Sequence, residues 1–170
     1  MSKTKTSFVN KLILVLAIAT VIFMLATPVI FFNYNEGGFN PDAGVLTIWG
    51  GPAILGIGGV NNGYKTMQFS FNWTLYITLL LLVTVGFTTY FIGPKARGYY
   101  VFAALLFVIC AVIIYASRIW LVKETIHIGT GSATGDFHRS HLGVGPWAGG
   151  LFSIVAALAC LYEFKAAKLR

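Results

Sequence analysis

The residues best suited to chemistry lie in one polar stretch toward the carboxyl end of the chain. This stretch contains all three histidines of the protein, His127, His138 and His141, together with Asp136. Imidazole and carboxylate groups are ligands for zinc and copper, and His138 and His141 are spaced to share one face of a helix. Arg139 lies between those two histidines, and its positive charge opposes a bound metal. We therefore favour a solvated polar loop without a cofactor, with a zinc or copper site as the alternative.

The composition indicates that these polar residues belong to a membrane protein. Hydrophobic residues make up 57% of the 170-residue chain and charged residues only 10%, whereas charged residues are about a quarter of an ordinary water-soluble domain. The net charge of +7 could indicate nucleic-acid binding. However, the basic residues lie at the ends of apolar runs and form no stripe with interleaved aromatic residues. We therefore expect a lipid bilayer as partner and no nucleic acid.

Four apolar runs are each about as long as a helix that crosses a bilayer, which takes about 20 mostly apolar residues. The third run has no charged residue before Arg118. The predicted spans are residues 12–32, 71–92, 99–122 and 147–164. Together they predict an all-α membrane protein, in which residues 1–170 form a single bundle of four transmembrane helices.

Charge at the ends of the runs predicts how the bundle is oriented. Four spans place both termini and the short turn 93–98 on one side, and the loops 33–70 and 123–146 on the other. Eight of the 12 Lys and Arg residues lie on the side of the termini, namely Lys3, Lys5, Lys11, Lys95, Arg97, Lys165, Lys168 and Arg170. Because cytoplasmic segments carry an excess of Lys and Arg, we expect a multi-pass protein of the cell membrane with both termini in the cytoplasm.

The first outer loop, residues 33–70, contains patterns typical of β-structure. Residues 45–49 have a strand-like composition. Four large side chains alternate further along and would share one face of a strand, namely Met67, Phe69, Phe71 and Trp73. We expect the two segments to pair as a small antiparallel sheet across the turn-like residues 61–63. The alternative is that residues 48–60, which are apolar apart from their glycines, re-enter the membrane.

Three features of the sequence carry a resemblance to a known family. They are Trp49-Gly50-Gly51 at the end of a candidate strand, Arg118 near the outer end of the third span, and residues 143–147 before the fourth. In these features and in the order of helices and loops, the chain resembles the claudin and peripheral-myelin-protein superfamily of tetraspan proteins. The resemblance is architectural, because the claudin first loop carries a cysteine pair and this loop contains no cysteine. It implies a four-helix fold with a strand-bearing first outer loop.

Small residues recur every four positions in the fourth span, at Gly149, Ser153 and Ala157. Such a strip lets another helix approach closely. We expect a neighbouring helix of the same chain to fill the strip, with a subunit interface as the alternative.

Arg118 is a charge at the membrane edge, about one turn inside the outer end of the third span. A guanidinium in this position can extend to the lipid headgroups or pair with an acidic residue of a loop. We favour the headgroups. The acidic residues that would serve as partners are Glu36, Asp42 and Asp136.

Together these patterns predict a structural or accessory tetraspan membrane protein that forms a homo-oligomer or joins another membrane protein through its outer loops. Exposed aromatic residues often dominate interfaces, so Trp49, Phe69 and Phe71 are the candidate contact residues. An enzymatic role is not favoured. Two alternatives stay open, namely a metal-binding or enzymatic membrane subunit that uses the histidine stretch, and an oligomer that forms a pore.

Overall fold

The computed structural model describes residues 8–33, 45–61, 66–121, 126–128 and 140–167, and these residues are mostly helical. The helices are α1 (Phe8–Ala26), α2 (Gly50–Leu55), α3 (Trp73–Ile92), α4 (Tyr99–Tyr115), α5 (Ser117–Trp120) and α6 (Val144–Ala166). The strands are β1 (Pro28–Asn33), β2 (Val45–Trp49), β3 (Gly59–Asn61), β4 (Thr66–Phe69), β5 (Ile126–Ile128) and β6 (Ser140–Leu142).

Three helices, α1, α3 and α6, are long and apolar enough to cross a membrane, and α4 is a shorter apolar helix. These four helices pack side by side, since α1 and α4 each contact both α3 and α6. Fully buried side chains of all four helices form the core between them, for example Ile13, Leu82, Phe107 and Ala156. The structure thus confirms a mostly helical chain with long apolar helices and additional small sheets.

The first helix ends earlier than the predicted span 12–32. Helix α1 ends at Ala26, and Pro28 begins strand β1. Proline lacks a backbone N–H and disfavours helical geometry in the residue before it. At this point Thr27 Oγ1 donates a hydrogen bond to the carbonyl of Phe23 over 2.7 Å. The apolar residues after Pro28 therefore continue as a strand, for which proline at the first position is well tolerated.

Strand β1 is the centre of a three-stranded antiparallel sheet with the order β2-β1-β6. Ile30 of β1 lies opposite Ile48 of β2 on one side and Leu142 of β6 on the other. Both isoleucines are buried. This sheet joins the end of α1 to the start of α6, because β6 ends at Leu142 and α6 begins at Val144.

The predicted pairing of residues 45–49 with the alternating segment after residue 65 is wrong. Strand β2 pairs with β1, whereas β4 pairs with β3 and β5 in a second antiparallel sheet. Strand β4 ends at Phe69, and Phe71 forms an isolated bridge with Leu55. Helix α3 then begins at Trp73, so the alternating side chains do not share one strand.

Residues 48–60, predicted as a sheet connection or a re-entrant segment, contain the end of β2, the short helix α2 and the start of β3. Helix α2 packs on α1 and α3. Its residues Ala53 and Ile54 are fully buried, and Asn72 N–H donates to the carbonyl of Ile54 over 3.0 Å. Helix α2 is therefore fixed to the end of the long helices that carries the sheets.

The other predicted spans match helices with shifted ends. The span 99–122 divides into α4 and α5, because the backbone at Ala116 (φ −80°, ψ 3°) departs from helical geometry. Helix α3 begins two residues inside the predicted span 71–92. Helix α6 extends the predicted span 147–164 at both ends, and Pro146 lies in its first turn, where a missing N–H costs no helical bond.

Candidate functional site

Trp49 combines an exposed side chain with a fixed backbone. Its position in β2 lies opposite Pro28, and the next residue, Gly50, donates its N–H to the carbonyl of Thr27 over 3.1 Å. Gly50 lies so close to the carbonyl oxygen of Met24 that a Cβ at this position would overlap it. Nevertheless, 52% of the Trp49 side chain is exposed. The structure thus holds a large aromatic side chain outward from an anchored backbone.

The segment after Trp49 adds further exposed apolar side chains. Leu55 ends α2 and is exposed, and Ile57 is 63% exposed. Ile57 lies between Gly56 and Gly58, whose backbones have positive φ angles of 66° and 78°. Side chains other than glycine rarely adopt such angles. The two glycines therefore shape the turn that presents Ile57, and residues 49–57 form what we call the outer apolar segment.

Phe69 and Phe71, which sequence reasoning grouped with Trp49, make contacts within the chain. Phe69 is half-buried and packs against the hydrophobic core. The ring of Phe71 lies 4.6 Å from the ring of Trp73 and 5.0 Å from that of Tyr76, measured between centroids. These two phenylalanines are therefore less available to a partner than Trp49 is.

Arg118 has a partner that the sequence did not indicate. Its Nε donates a hydrogen bond to Oγ of Ser140 over 2.8 Å. Ser140 is fully buried at the start of β6, so the bond ties α5 to the first sheet. The predicted acidic partners Glu36, Asp42 and Asp136 lie outside the described residues. No motif marks Ser140 as a partner, because a single serine 22 positions away carries no signal in the sequence.

Two buried polar atoms of α5 have no hydrogen-bond partner within the described ranges, namely Oγ of Ser117 and Nε1 of Trp120. Residues three apart lie on neighbouring positions of a helix surface. Buried polar groups are nearly always satisfied in folded proteins.

The two candidate metal ligands that the structure describes, His127 and His141, belong to different sheets. His141 is exposed in β6, opposite Phe31 of the first sheet. His127 belongs to β5 of the second sheet, where it lies opposite Gln68. Asp136 and His138 lie outside the described residues. Among the residues that are described, no group of three or more His, Cys, Asp or Glu side chains could hold a metal ion.

The strip of small residues in α6 is buried against α1 of the same chain. Gly149 approaches Thr20 and Met24 so closely that an added Cβ would lie 3.2 Å from Cγ of Met24. Thr20 Oγ1 also contacts the carbonyl of Gly149 at 3.4 Å. Ser153 and Ala157 are buried as well. Gly149 therefore packs against a neighbouring helix of the same chain, and the other two residues of the strip are buried within the chain.

An apolar groove of about 460 Å³ lies where α4, α6 and the first sheet meet. It is lined by Phe31, Tyr115, Leu142, Gly143, Val144, Trp147, Ala148 and Leu151. The ring centroids of Tyr115 and Trp147, two of these lining residues, lie 5.7 Å apart. Its lining suits a hydrocarbon chain rather than a polar ligand.

At the opposite end of the helices, Arg97 is held against the last turns of α6. Its Nε donates to the carbonyl of Phe164 over 2.8 Å, and its Cζ lies 4.2 Å from the centroid of the Phe164 ring. Nearby, Tyr100 Oη donates to Oδ1 of Asn10 over 2.9 Å. Sequence reasoning treated Arg97 only as one of several basic residues. Its specific contacts depend on the packing of the turn 93–98 against α6.

Comparison of the chain with known proteins gives no match to a family model, to a curated protein or to a solved structure. The resemblance to the claudin and peripheral-myelin-protein superfamily stays a prediction that depends on the order of helices and on a few residues. Function is therefore inferred from the side chains and contacts of the chain itself.

Proposed function

We propose that this chain is a structural or accessory membrane protein with four transmembrane helices, which assembles with itself or with another membrane protein through its outer loops. Helices α1, α3 and α6 have the length and composition of membrane spans. Helix α4 has 17 residues, which corresponds to about 26 Å at 1.5 Å per residue, and α5 extends it further. This length lies at the lower end of the range for a span.

The outer faces of the helices support their placement in lipid. Large apolar side chains on α3, α4 and α6 are more than half exposed, including Ile77, Leu105, Val112 and Leu158. Monomeric soluble proteins rarely expose large contiguous apolar surfaces. The same side chains are stabilised in a bilayer, where hydrocarbon surrounds the helices.

Charge and contacts support one orientation for both termini. The bond between Asn10 and Tyr100 and the contacts between Arg97 and Phe164 join the start of α1, the start of α4 and the end of α6 at one end. Of the eight Lys and Arg residues that the sequence assigns to the side of the termini, the structure describes four at this end, namely Lys11, Lys95, Arg97 and Lys165. By the positive-inside rule this end is cytoplasmic, and the two sheets are then extracytoplasmic.

The proposed association surface rests on one observation, namely that the indole of Trp49 is exposed while its backbone is anchored. Aromatic side chains that are held in one conformation lose little entropy on binding and are frequent hot spots of interfaces. The backbone at Trp49 is already fixed by β1 and by the close packing of Gly50 on Met24. The neighbouring side chains of the outer apolar segment would surround it in an interface.

The experiment is to extract the protein in mild detergent and to measure the mass of the intact complex for wild type and for Trp49→Ala. We expect Trp49→Ala to shift the complex toward the monomer without loss of membrane insertion. The matched control is Trp73→Ala, because Trp73 is 66% exposed at the same end but contacts Phe71. An unchanged mass for Trp49→Ala, or an equal shift for Trp73→Ala, contradicts a specific role of Trp49.

A further inference from the structure

We propose that Arg97 forms a binding site for the phosphate group of an anionic lipid at the basic end of the helices. This inference rests on the membrane placement proposed above, but not on the association through Trp49. It depends on the geometry of one guanidinium, on the charges around it and on the apolar surface next to it.

The guanidinium of Arg97 is held in place, and most of its N–H donors have no partner among the residues that the structure describes. Its Nε donates to the carbonyl of Phe164, and its plane is supported by the Phe164 ring. These contacts account for its interactions within the described residues, so the two terminal amino groups have no protein partner there. A guanidinium presents its N–H groups as a planar fork that matches two oxygens of a phosphate. Because Phe164 already orients the fork, little entropy is lost on binding.

The surrounding charges favour an anion. Three lysines near this end are exposed, namely Lys11, Lys95 and Lys165. In the sequence, Lys11 follows Asn10, Lys95 lies two residues before Arg97, and Lys165 follows Phe164. The segments 1–11, 93–98 and 165–170 contain no Asp or Glu. Glu163 is the only acidic residue in the described parts of the chain, and it is buried. The cationic groups at this end therefore have no exposed acidic neighbour in these segments.

The position of Arg97 favours a lipid over a free phosphate ion. Arg97 lies two residues before α4, whose first turns carry the exposed side chains Val101, Phe102 and Leu105. A lipid whose phosphate binds Arg97 can lay its acyl chains along these side chains. A zwitterionic lipid is disfavoured, because its cationic headgroup would approach the three lysines.

The test uses the full-length protein in detergent, with phosphatidylglycerol and phosphatidylcholine as probes and native mass spectrometry of the monomer peak as the measurement. We expect wild type to retain phosphatidylglycerol in preference to phosphatidylcholine. In Arg97→Lys, which keeps the charge but loses the planar fork, retention of phosphatidylglycerol should weaken about tenfold, the effect of losing one hydrogen bond to a charged group. The comparison variant Lys95→Gln, which removes one of the surrounding charges but leaves the planar fork of Arg97, should weaken retention less than Arg97→Lys does.

Two results of the lipid-retention measurements would overturn the proposal. One is equal retention of both lipids by wild type. This measurement needs no variant, so it tests the site even if a variant fails to fold. The other is an equal effect of Arg97→Lys and Lys95→Gln, which would indicate diffuse attraction by the basic end. Competition by inorganic phosphate at millimolar concentration would also contradict a lipid site. Failure of the protein to partition into vesicles would instead overturn the membrane placement itself.

Discussion

Tyr100 donates a hydrogen bond to Oδ1 of Asn10 over 2.9 Å, although the two residues lie 90 positions apart. Both side chains are buried. The bond joins the first turn of α4 to the first turn of α1, which do not follow each other in the chain. It thus fixes the relative height of two helices at the basic end of the structure.

We predict that Tyr100→Phe lowers the stability of the helix bundle by about 1 kcal/mol, because hydrogen bonds between membrane helices contribute about 0.6 to 2 kcal/mol. The measurement is unfolding in mixed detergent micelles. Tyr162→Phe is the control, since Tyr162 lies near the end of α6 with 63% of its side chain exposed. Equal stability of Tyr100→Phe and wild type would show that the bond contributes nothing.

The close packing of Gly50 on α1 leads to a second prediction. An added Cβ would overlap the carbonyl oxygen of Met24, which belongs to the backbone and cannot rotate away. Gly50→Ala should therefore displace α2 and cost about 1 to 3 kcal/mol, as overpacking does in other cores. The measurement is thermal unfolding together with protease sensitivity near residues 50–55.

Gly98→Ala is the matched control for this change. Among the described residues, no atom beyond its chain neighbours lies within 4 Å of an added Cβ at Gly98, and its φ of −59° suits any residue. Its stability should be unchanged or higher by up to about 1 kcal/mol. If Gly50→Ala is as stable as Gly98→Ala, the described contact between α2 and α1 is not tight in solution.

The proposed orientation predicts which sites react with an impermeant thiol reagent in intact cells. Cys110 and Cys160, both buried, are first replaced by alanine. Ile57→Cys should react from outside, whereas Lys95→Cys should react only after permeabilisation, because the proposed orientation places the turn 93–98 in the cytoplasm. Labelling of Lys95→Cys in intact cells would indicate the opposite orientation. If neither variant reacted in intact cells, both sites would lie on the inner side, which contradicts a membrane span between them.

The histidine stretch is predicted not to bind a metal tightly. Arg139 separates His138 from His141 and repels a cation, and His127 belongs to a different sheet from His141. Elemental analysis of the purified protein should therefore give less than about 0.1 equivalent of zinc or copper. About one equivalent of either metal, lost when His138 and His141 are both changed to alanine, would instead support the metal-binding alternative.

The apolar runs predicted the long helices well, because bilayer-length segments without charges are a strong signal. The end of α1 could not be predicted in the same way. Residues 29–32 are apolar, and a buried strand and a continued helix have the same composition over so few residues. The predicted span 12–32 ran past Pro28, whereas α1 ends at Ala26 and Pro28 begins β1.

The incorrect end of α1 also explains the incorrect strand pairing. A helix over residues 29–32 leaves no β1 to pair with β2, and the prediction therefore paired β2 with the alternating segment after residue 65. Pairing between distant strands depends on which edges the helices bring together, and local patterns do not contain this information. The contact of Arg118 with Ser140 was missed for the same reason, because β6 reaches α5 only after the sheet has formed.

The most direct test of the proposed association surface replaces Trp49 with photoreactive benzoylphenylalanine, which keeps an aromatic ring at this position, and analyses the products of illumination in native membranes. The same amino acid at Leu158, an exposed residue of α6, serves as the control on the surface that we propose faces lipid. We predict a cross-linked protein product, either a dimer of this chain or an adduct with another membrane protein, at position 49 and not at position 158. The absence of a protein product at position 49, with one formed at position 158, would contradict association through the outer apolar segment.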